Sequence, residues 1–527
     1  MTAVLRLGPQ QVHMAIDNHN ATLHLVLHDT IYLEAAGHTT RALLIGDGRI
    51  LAVGQEAIAR GSQEGARAHR PEGACVMPAL TDAHAHPWGL AQRAGVVDLS
   101  AARSTQDIYE ALRHATTSPN GWIVGARWDQ HNWQDAQALS LEQLDALWPD
   151  TPALLYRTDY HAVWCNSCAL RRAGYDPQTI EASGGLLVDE HMTRAIGALG
   201  PTTVEDDRQT LARHAQRLRR MGVGCVHQAF MRVRDVAWLE AWRAQGELPL
   251  RIYGMVDAHD PDLPTLLERG PHHDPHARLS VRTIKFFADG ALGSQGALLH
   301  EPYLGTNQRG QETTSADELR ARIPKLAQAG WQVACHAIGD RAATHVLDAY
   351  AACAPAARHA TRPRLEHAQM MRPADIARMK TLGVIPSIQP IHFYSDMPWV
   401  DQHLSASQRA LLYRWSDLRG GAPLCGGSDF PIDDPNPWHA MATALTRRAS
   451  DAKVYDPSQA LGRWEVLEAY TSGAAWAAHW EGQLGHLRVG ACADWIALSD
   501  DPFDCSEDAL WDMKVVDASW GQAPRRA

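Results

Sequence analysis

Lysine is almost missing from this chain. Only five of its 527 residues are lysines (Lys285, Lys325, Lys380, Lys453 and Lys514), so arginine carries nearly all the positive charge. The formal net charge is −11 and no basic tract offers a phosphate footprint, which excludes a nucleic-acid partner. Long apolar runs are missing too: nothing approaches the roughly 20 residues of a membrane span, so no membrane partner is expected. Residues 1–30 lack a charged segment followed by an apolar one, so a cytoplasmic protein is expected and the Asn20-Ala-Thr22 sequon is irrelevant. The nine cysteines have no framework spacing, which suits reduced thiols. Cys165-Asn-Ser-Cys168 fits C-x-x-C but has no partner pair, so neither a zinc knuckle nor a redox pair is expected there. With 45% hydrophobic residues the chain is ordinary for a globular protein, and it is long enough for a barrel plus a smaller domain.

The most informative stretch is Val76-Met-Pro-Ala-Leu-Thr-Asp-Ala-His84-Ala-His86-Pro87. On a strand, histidines two apart share a face, so one metal ion can take both, although packing alone can also explain such a pair. Further apolar runs end on residues suited to a metal: Val281 to Gly290 carries Lys285, Trp331 to His336, Pro363 to His367, and Pro423 to Asp429. Helical stretches follow, such as Asp340 to Ala352 and Pro373 to Leu382. Eight strands are predicted, near 76–84, 222–229, 250–256, 282–289, 331–337, 363–368, 384–389 and 424–429. This βα rhythm predicts an α/β fold with a (β/α)8 TIM-type barrel, whose strand ends converge on one mouth.

Lys285, between Ile284 and Phe286, stands out in a chain with so few lysines. Burial lowers a lysine's pKa and gives a neutral amine that can capture CO2 as a carbamate, whose oxygens can bridge two cations. The competing reading is a structural ion pair with Asp289.

Residues 22–77 read as short strands with a hairpin signal at Gly46-Asp-Gly48. The C-terminal end reads similarly, over Gly482 to Gly490 and Ala493 to Leu498. Residues 1–77 and 476–527 are therefore expected to form one composite β-sandwich domain beside a barrel over 78–475. The gap between the first two barrel strands is far too long for a βα unit, so about 100–215 is expected to be an insertion over the mouth. Its aromatics (Trp122, Trp128, Trp133, Tyr156, Tyr160, Trp164) suit a lid.

The order His-x-His, Lys, His, His, Asp across barrel strands resembles the amidohydrolase superfamily, and more narrowly its YtcJ-like branch with the N-substituted formamide deformylases. Gly121 to Trp128, Tyr160 to Ser167, Asp289 to Ser294, Arg364 to Gln369, Gly427 to Pro431 and Tyr470 to Ala475 carry the resemblance nearly end to end. It implies that His84, His86 and Asp429 bind one metal, that His336 and His367 bind a second, and that carboxylated Lys285 bridges them. It also marks a departure: Gln228 follows His227 where relatives commonly place an aspartate. Zinc is the expected ion for an imidazole-rich, carboxylate-bridged pair.

The expected reaction is hydrolysis of a non-peptide C–N bond of a small amide-type molecule by a metal-activated hydroxide, with Asp429 as catalytic proton shuttle. Ester, lactone or phosphoester hydrolysis on the same scaffold is the alternative, and a non-catalytic metal-binding regulator a remoter one. His161 and Asp289 are candidate substrate contacts; His161 equally suits a core histidine, and Asp289 a role in orienting Lys285 or capping the Gly290 turn. His392 ranks below them, and Trp88 is expected to pack. For assembly, a homodimer is the one expectation.

Overall fold

The computed structural model describes residues 23–521 except 36, 89–95, 119, 131–132, 134–139, 159 and 201–202; the Asn20 sequon lies outside them. The chain begins with five strands: His24–Tyr32 (β1), Thr39–Gly46 (β2), Arg49–Val53 (β3), Arg67–His69 (β4) and Cys75–Pro78 (β5). β1 pairs antiparallel with β2, and its other edge is used twice, by β4 near its start and by β5 near its end. The expected hairpin joins β2 to β3, with Asp47 and Gly48 both at positive φ.

The long run 76–84 is two strands rather than one. Pro78 has no N–H to continue a ladder. Past it the chain changes sheets: Ala79 N–H donates to Asp494 O in the terminal sheet, and Leu80 N–H to Gly222 O in the barrel. Leu80–Ala85 (β6) is then the first barrel strand.

Between β6 and the second barrel strand lies a separate five-stranded sheet of Val97–Asp98 (β7), Ile123–Trp128 (β8), Ala153–Arg157 (β9), Ala162–Cys165 (β10) and Leu186–Val188 (β11). Its aromatics mainly pack its own interior: Trp122, Tyr156 and Tyr160 join one apolar cluster, and Trp128 and Trp164 another with Trp133 against it. The helix Val204–Arg220, with a capping box at Thr203 and Asp206, returns the chain to the barrel.

The remaining barrel strands are Val223–Met231 (β12), Arg251–Asp257 (β13), Leu279–Phe287 (β14), Gln332–Ala337 (β15), Arg364–His367 (β16), Ile385–Ile388 (β17) and Cys425–Gly426 (β18), all parallel to their neighbours. These seven coincide with predicted runs, and β6 with the second half of the eighth. Every residue of β6, β15, β16 and β17 is buried, as expected of parallel strands covered on both faces. The helices Asp340–Ala351 and Pro373–Leu382 match expectation.

The barrel seam between β18 and β6 is stitched just beyond β18, where Asp429 N–H donates to His84 O (2.6 Å) and His86 N–H to Phe430 O (2.6 Å). A side chain at Gly427 would put its Cβ 2.4 Å from the His84 nitrogen, so only glycine lets the seam close.

Trp495–Leu498 (β19) and Val515–Ser519 (β20) complete the terminal sheet in the order β20-β19-β5-β1-β2-β3. Both chain ends therefore build one sheet. The composite domain is one hydrogen-bonded sheet of seven strands among the described residues, in which β1 passes from β4 to β5 along one edge with an irregularity between Leu27 and Ile31. The helix Gly54–Gln63 covers one face through Ala57, against Leu25, Ala42, Leu44 and Ala52. The stretch 482–490 is turns with one isolated bridge, Glu34 to His486, rather than a strand.

Candidate metal centre

Alternation along β6 puts Asp82, His84 and His86 on one side of the run, and the parallel strands bring the ends of β14, β15, β16 and β18 beside them. Asp429 Oδ1 lies 3.0 Å from His86 Nε2 and 3.3 Å from His84 Nε2. One donor atom each from His84, His367 and Asp429 falls within 4.8 Å of the others, and all three residues are buried. The His336 and His367 rings are 4.5 Å apart, and His367 is 4.8 Å from His84. The compact triad thus joins ligands that the resemblance divides between two ions. His367 and Asp429 adopt positive φ (73° and 58°), a conformation non-glycine residues rarely hold, which aims both side chains from the ends of their strands.

Electrostatics prepare these groups for a cation. Burial, with the neighbouring positive groups, holds His336 and His367 well below the usual histidine range, so both are neutral donors at pH 7. Burial would raise the Asp429 carboxyl, but His84 and His86 outweigh it and hold it well below the usual carboxylate range. Lys285 is fully buried and its Nζ has no hydrogen-bond partner; burial lowers it to about 8. An orphaned, easily deprotonated amine beside imidazoles and carboxylates fits carboxylation and a divalent-cation site.

The ion pair between Lys285 and Asp289 does not form. The Asp289 oxygens instead accept backbone N–H bonds from Leu298 (2.9 Å), Ile338 (3.1 Å) and Gly339 (2.7 Å). This clamps the loop after β14 to the end of β15, and a Cβ at Gly339 would lie 2.0 Å from Leu298 O. Asp289, raised to about 7 by burial, lies 3.5 Å from His336 Nε2 and also lines the cavity. It is thus engaged in holding loops, and a substrate must compete with three backbone donors for it.

Two lobes of one cavity meet at His161, His336, His367, Asp429 and Ile432. One, about 540 Å³, is walled by Tyr160, Met192, Phe230 and Phe287, with His84, His86 and Asp289 at its floor. The other, about 310 Å³, sets Arg127, Arg157, His392, Asp396 and Asp433 beside Leu292, Ile338 and Trp399. His161 therefore stands at the junction, its ring 5.9 Å from that of His336. His392 lies closer to the centre than expected: it stacks on His367 (5.9 Å, 15°) and its Nε2 is 3.8 Å from Asp429 Oδ2. Trp88 is buried in the main core and packs against Trp238, as expected.

Three groups near the centre escaped the sequence reading. Asp82 accepts from His84 N (3.1 Å) and Ser428 N (3.0 Å), pinning the seam, and burial raises it to about 6. Glu366 bonds His84 Nδ1 at 2.6 Å, and Arg364 bonds Glu366. The signal was available: charged residues two apart in an otherwise apolar strand, as at 364 and 366 or 82, 84 and 86, share one buried face. Gln228, at the departure from the resembling pattern, donates its amide to Trp88 O and Phe230 O and so braces the loop after β6.

Comparisons with known proteins agree with this geometry. A model of the amidohydrolase family matches residues 72–518. YtcJ of Bacillus subtilis, which bears an amidohydrolase name, is 30% identical over 457 residues, 82% of this chain and 85% of that protein. The N-substituted formamide deformylase of Arthrobacter pascens is 25% identical over 520 residues, 92% of this chain and 94% of that enzyme. The crystal structure of an uncharacterised metal-dependent hydrolase from Pyrococcus horikoshii OT3 superposes with a TM-score of 0.78 at 27% identity, covering 92% of this chain and 99% of that one. Among the described residues no helix is long and apolar enough to cross a membrane.

Proposed function

Because the chain belongs to the amidohydrolase family, we propose that it is a metal-dependent hydrolase that cleaves a non-peptide C–N bond of a small amide-type molecule. The observation that carries this reading is the convergence of His336, His367 and Asp429, at the meeting of the two cavity lobes, with His84 and His86 on the floor of the larger lobe and orphaned Lys285 buried beside them. The donor set would suit zinc: His84, His86, His336, His367 and Asp429 would hold it, with Lys285, if carboxylated, supplying further oxygen ligands. Such ions, when bound, acidify water and polarise a carbonyl.

The chain's own residues do the rest. Asp429, ionised and 3.0 Å from His86 Nε2, takes the proton of the attacking water and passes it to the leaving nitrogen. Tyr160, Phe230 and Phe287 give the larger lobe an apolar wall, which suits an apolar or aromatic group beside the scissile bond. The sheet over residues 97–188 acts as the lid, delivering Tyr160 and His161 to the site. The A. pascens enzyme, by its name, acts on N-substituted formamides, and its coverage of nearly the whole chain supports an amide over an ester.

Zinc-loaded protein assayed against N-formyl amines, N-acyl amino acids, esters and lactones tests the reading. Turnover of an amide with kcat/KM well above that of any ester or lactone is expected. A clear preference for esters, lactones or phosphoesters would replace the proposal, and turnover of nothing would favour a binding role.

A further inference from the structure

Beneath the centre lies a buried ion pair that the chemistry above does not use. Glu366 and Arg364 face inward from β16, and neither is exposed at all. One Glu366 oxygen bonds His84 Nδ1 at 2.6 Å; the other accepts from Arg364 Nε at 2.7 Å. Arg364 spends its remaining donors on three other strands: Nη1 to His227 Nδ1 on β12 (2.9 Å), and Nη2 to Ala83 O on β6 (2.7 Å) and Ser387 Oγ on β17 (3.2 Å). A buried pair of this kind adds little to stability, because desolvation costs about what the attraction returns. Its placement directly behind His84 calls for a different account.

We infer that Glu366, locked by Arg364, is a positioning residue that fixes the tautomer of His84 and so presents Nε2 to the metal. A neutral imidazole carries one N–H, and an ionised carboxylate can only accept, so the Nδ1 facing Glu366 must hold the hydrogen. The lone pair then sits on Nε2, the nitrogen 3.3 Å from Asp429 Oδ1. Arg364 prevents Glu366 from turning away, since a guanidinium only donates and this one holds both carboxylate oxygens, through Nε at 2.7 Å and Nη2 at 3.2 Å, while its other bonds anchor it. His227 is fixed by the same logic: its Nδ1 accepts from Arg364, so its hydrogen is on Nε2. Carboxylates behind metal-binding histidines raise ligand basicity as well as orienting the ring. The inference rests on the metal reading above.

The experiment is a calorimetric titration of zinc into metal-free protein, with circular dichroism of each variant. In Glu366→Gln the side-chain oxygen stays with Arg364 and the amide N–H2 turns to His84, which forces the hydrogen onto Nε2. Zinc affinity is expected to fall about 10- to 100-fold in folded protein. The double variant R364M/E366Q leaves no lone buried charge and frees the amide oxygen to accept from His84; it is expected to bind more tightly than E366Q and less tightly than wild type. Asp494→Asn, which breaks a buried pair at the opposite end of the barrel, serves as control and is expected to bind zinc like wild type. Wild-type affinity in E366Q or in the double variant, or equal losses in E366Q and the control, would overturn the inference while leaving the metal reading intact. Failure of the wild-type protein to take up zinc would contradict the metal reading itself, and the positioning role with it.

Discussion

The two ends of the barrel bury charge in opposite ways. At the N-terminal end of β13, Arg251 meets Asp494 just before β19, and every direction is satisfied: its guanidinium bonds both Asp494 oxygens and the carbonyls of His276, Ala277 and Gly521. Gly521 N–H returns a bond to Asp494 Oδ1 (2.6 Å), tying the last described residue to the barrel floor. At the mouth, by contrast, Lys285 Nζ and His367 Nδ1 are buried without hydrogen-bond partners. Unsatisfied buried polar atoms cost about 1–3 kcal/mol each, a cost that the mouth bears and the fully bonded Arg251–Asp494 pair does not. The division fits barrels in general, where the C-terminal face carries chemistry and the opposite face holds the fold together.

The sharpest way to break the contrast is to remove the mouth's most costly group. Lys285→Ala should abolish metal binding and turnover together, with partial rescue of both by short carboxylic acids; metal analysis and rate assays with added acetate or propionate check this. Asp429→Asn should keep most of the metal and lose roughly two to four orders of magnitude in kcat, measured on the best amide substrate. A wild-type rate in that variant would remove Asp429 as the proton shuttle.

Changes at the floor should give the converse result. Arg251→Met leaves Asp494 buried without its partner and should cost about 3–5 kcal/mol in denaturant unfolding, with kcat/KM of the folded fraction unchanged. A drop in kcat/KM there would mean that the two ends are coupled and the contrast is false.

Lys285 also predicts a pH-dependent stability with a definite sign. Its folded value, about 8, lies below the ordinary lysine value of 10.5 that holds in the unfolded chain. The folded state therefore bears the full cost of the buried charge below pH 8, and that cost fades as pH rises from 8 to 10.5. Metal-free Lys285→Met should accordingly be more stable than wild type at pH 7, by about 1–3 kcal/mol, and the gap should shrink towards pH 10.5 in chemical denaturation. A gap that is constant with pH would show that Lys285 binds its proton equally in the folded and unfolded states, so that burial does not lower it. The smallest effect concerns the lobe: Phe230→Ala should raise KM for aryl-substituted amides by about tenfold with kcat little changed.

Much of the barrel was legible because each strand is a short apolar run ending on a polar residue, from Thr81-Asp-Ala-His84 to Leu424-Cys-Gly-Gly-Ser-Asp429. The meeting of His84, His86, His336, His367 and Asp429 was legible for the same reason, since residues hundreds of positions apart needed only the barrel to bring them together. What the pattern hid was where one run serves two sheets. Val76 to His84 looks continuous, and only the missing N–H of Pro78 and the crossing bonds of Ala79 and Leu80 divide it. The insertion's aromatics divide in a way composition does not show: Trp122, Trp128 and Trp164 fill its own core, while Tyr160 lines the cavity with Phe230 and Phe287 of the barrel. The ion pair behind His84 was visible as Arg364-Leu-Glu366 but unassigned, because its partners lie on three other strands.

The central claim is a two-ion centre bridged at Lys285, and the metal content of protein purified without chelator in bicarbonate buffer tests it most directly. About two zinc equivalents per chain, falling together in Lys285→Ala, is the predicted result. One tightly bound ion per chain, retained when Lys285 is replaced, would contradict it.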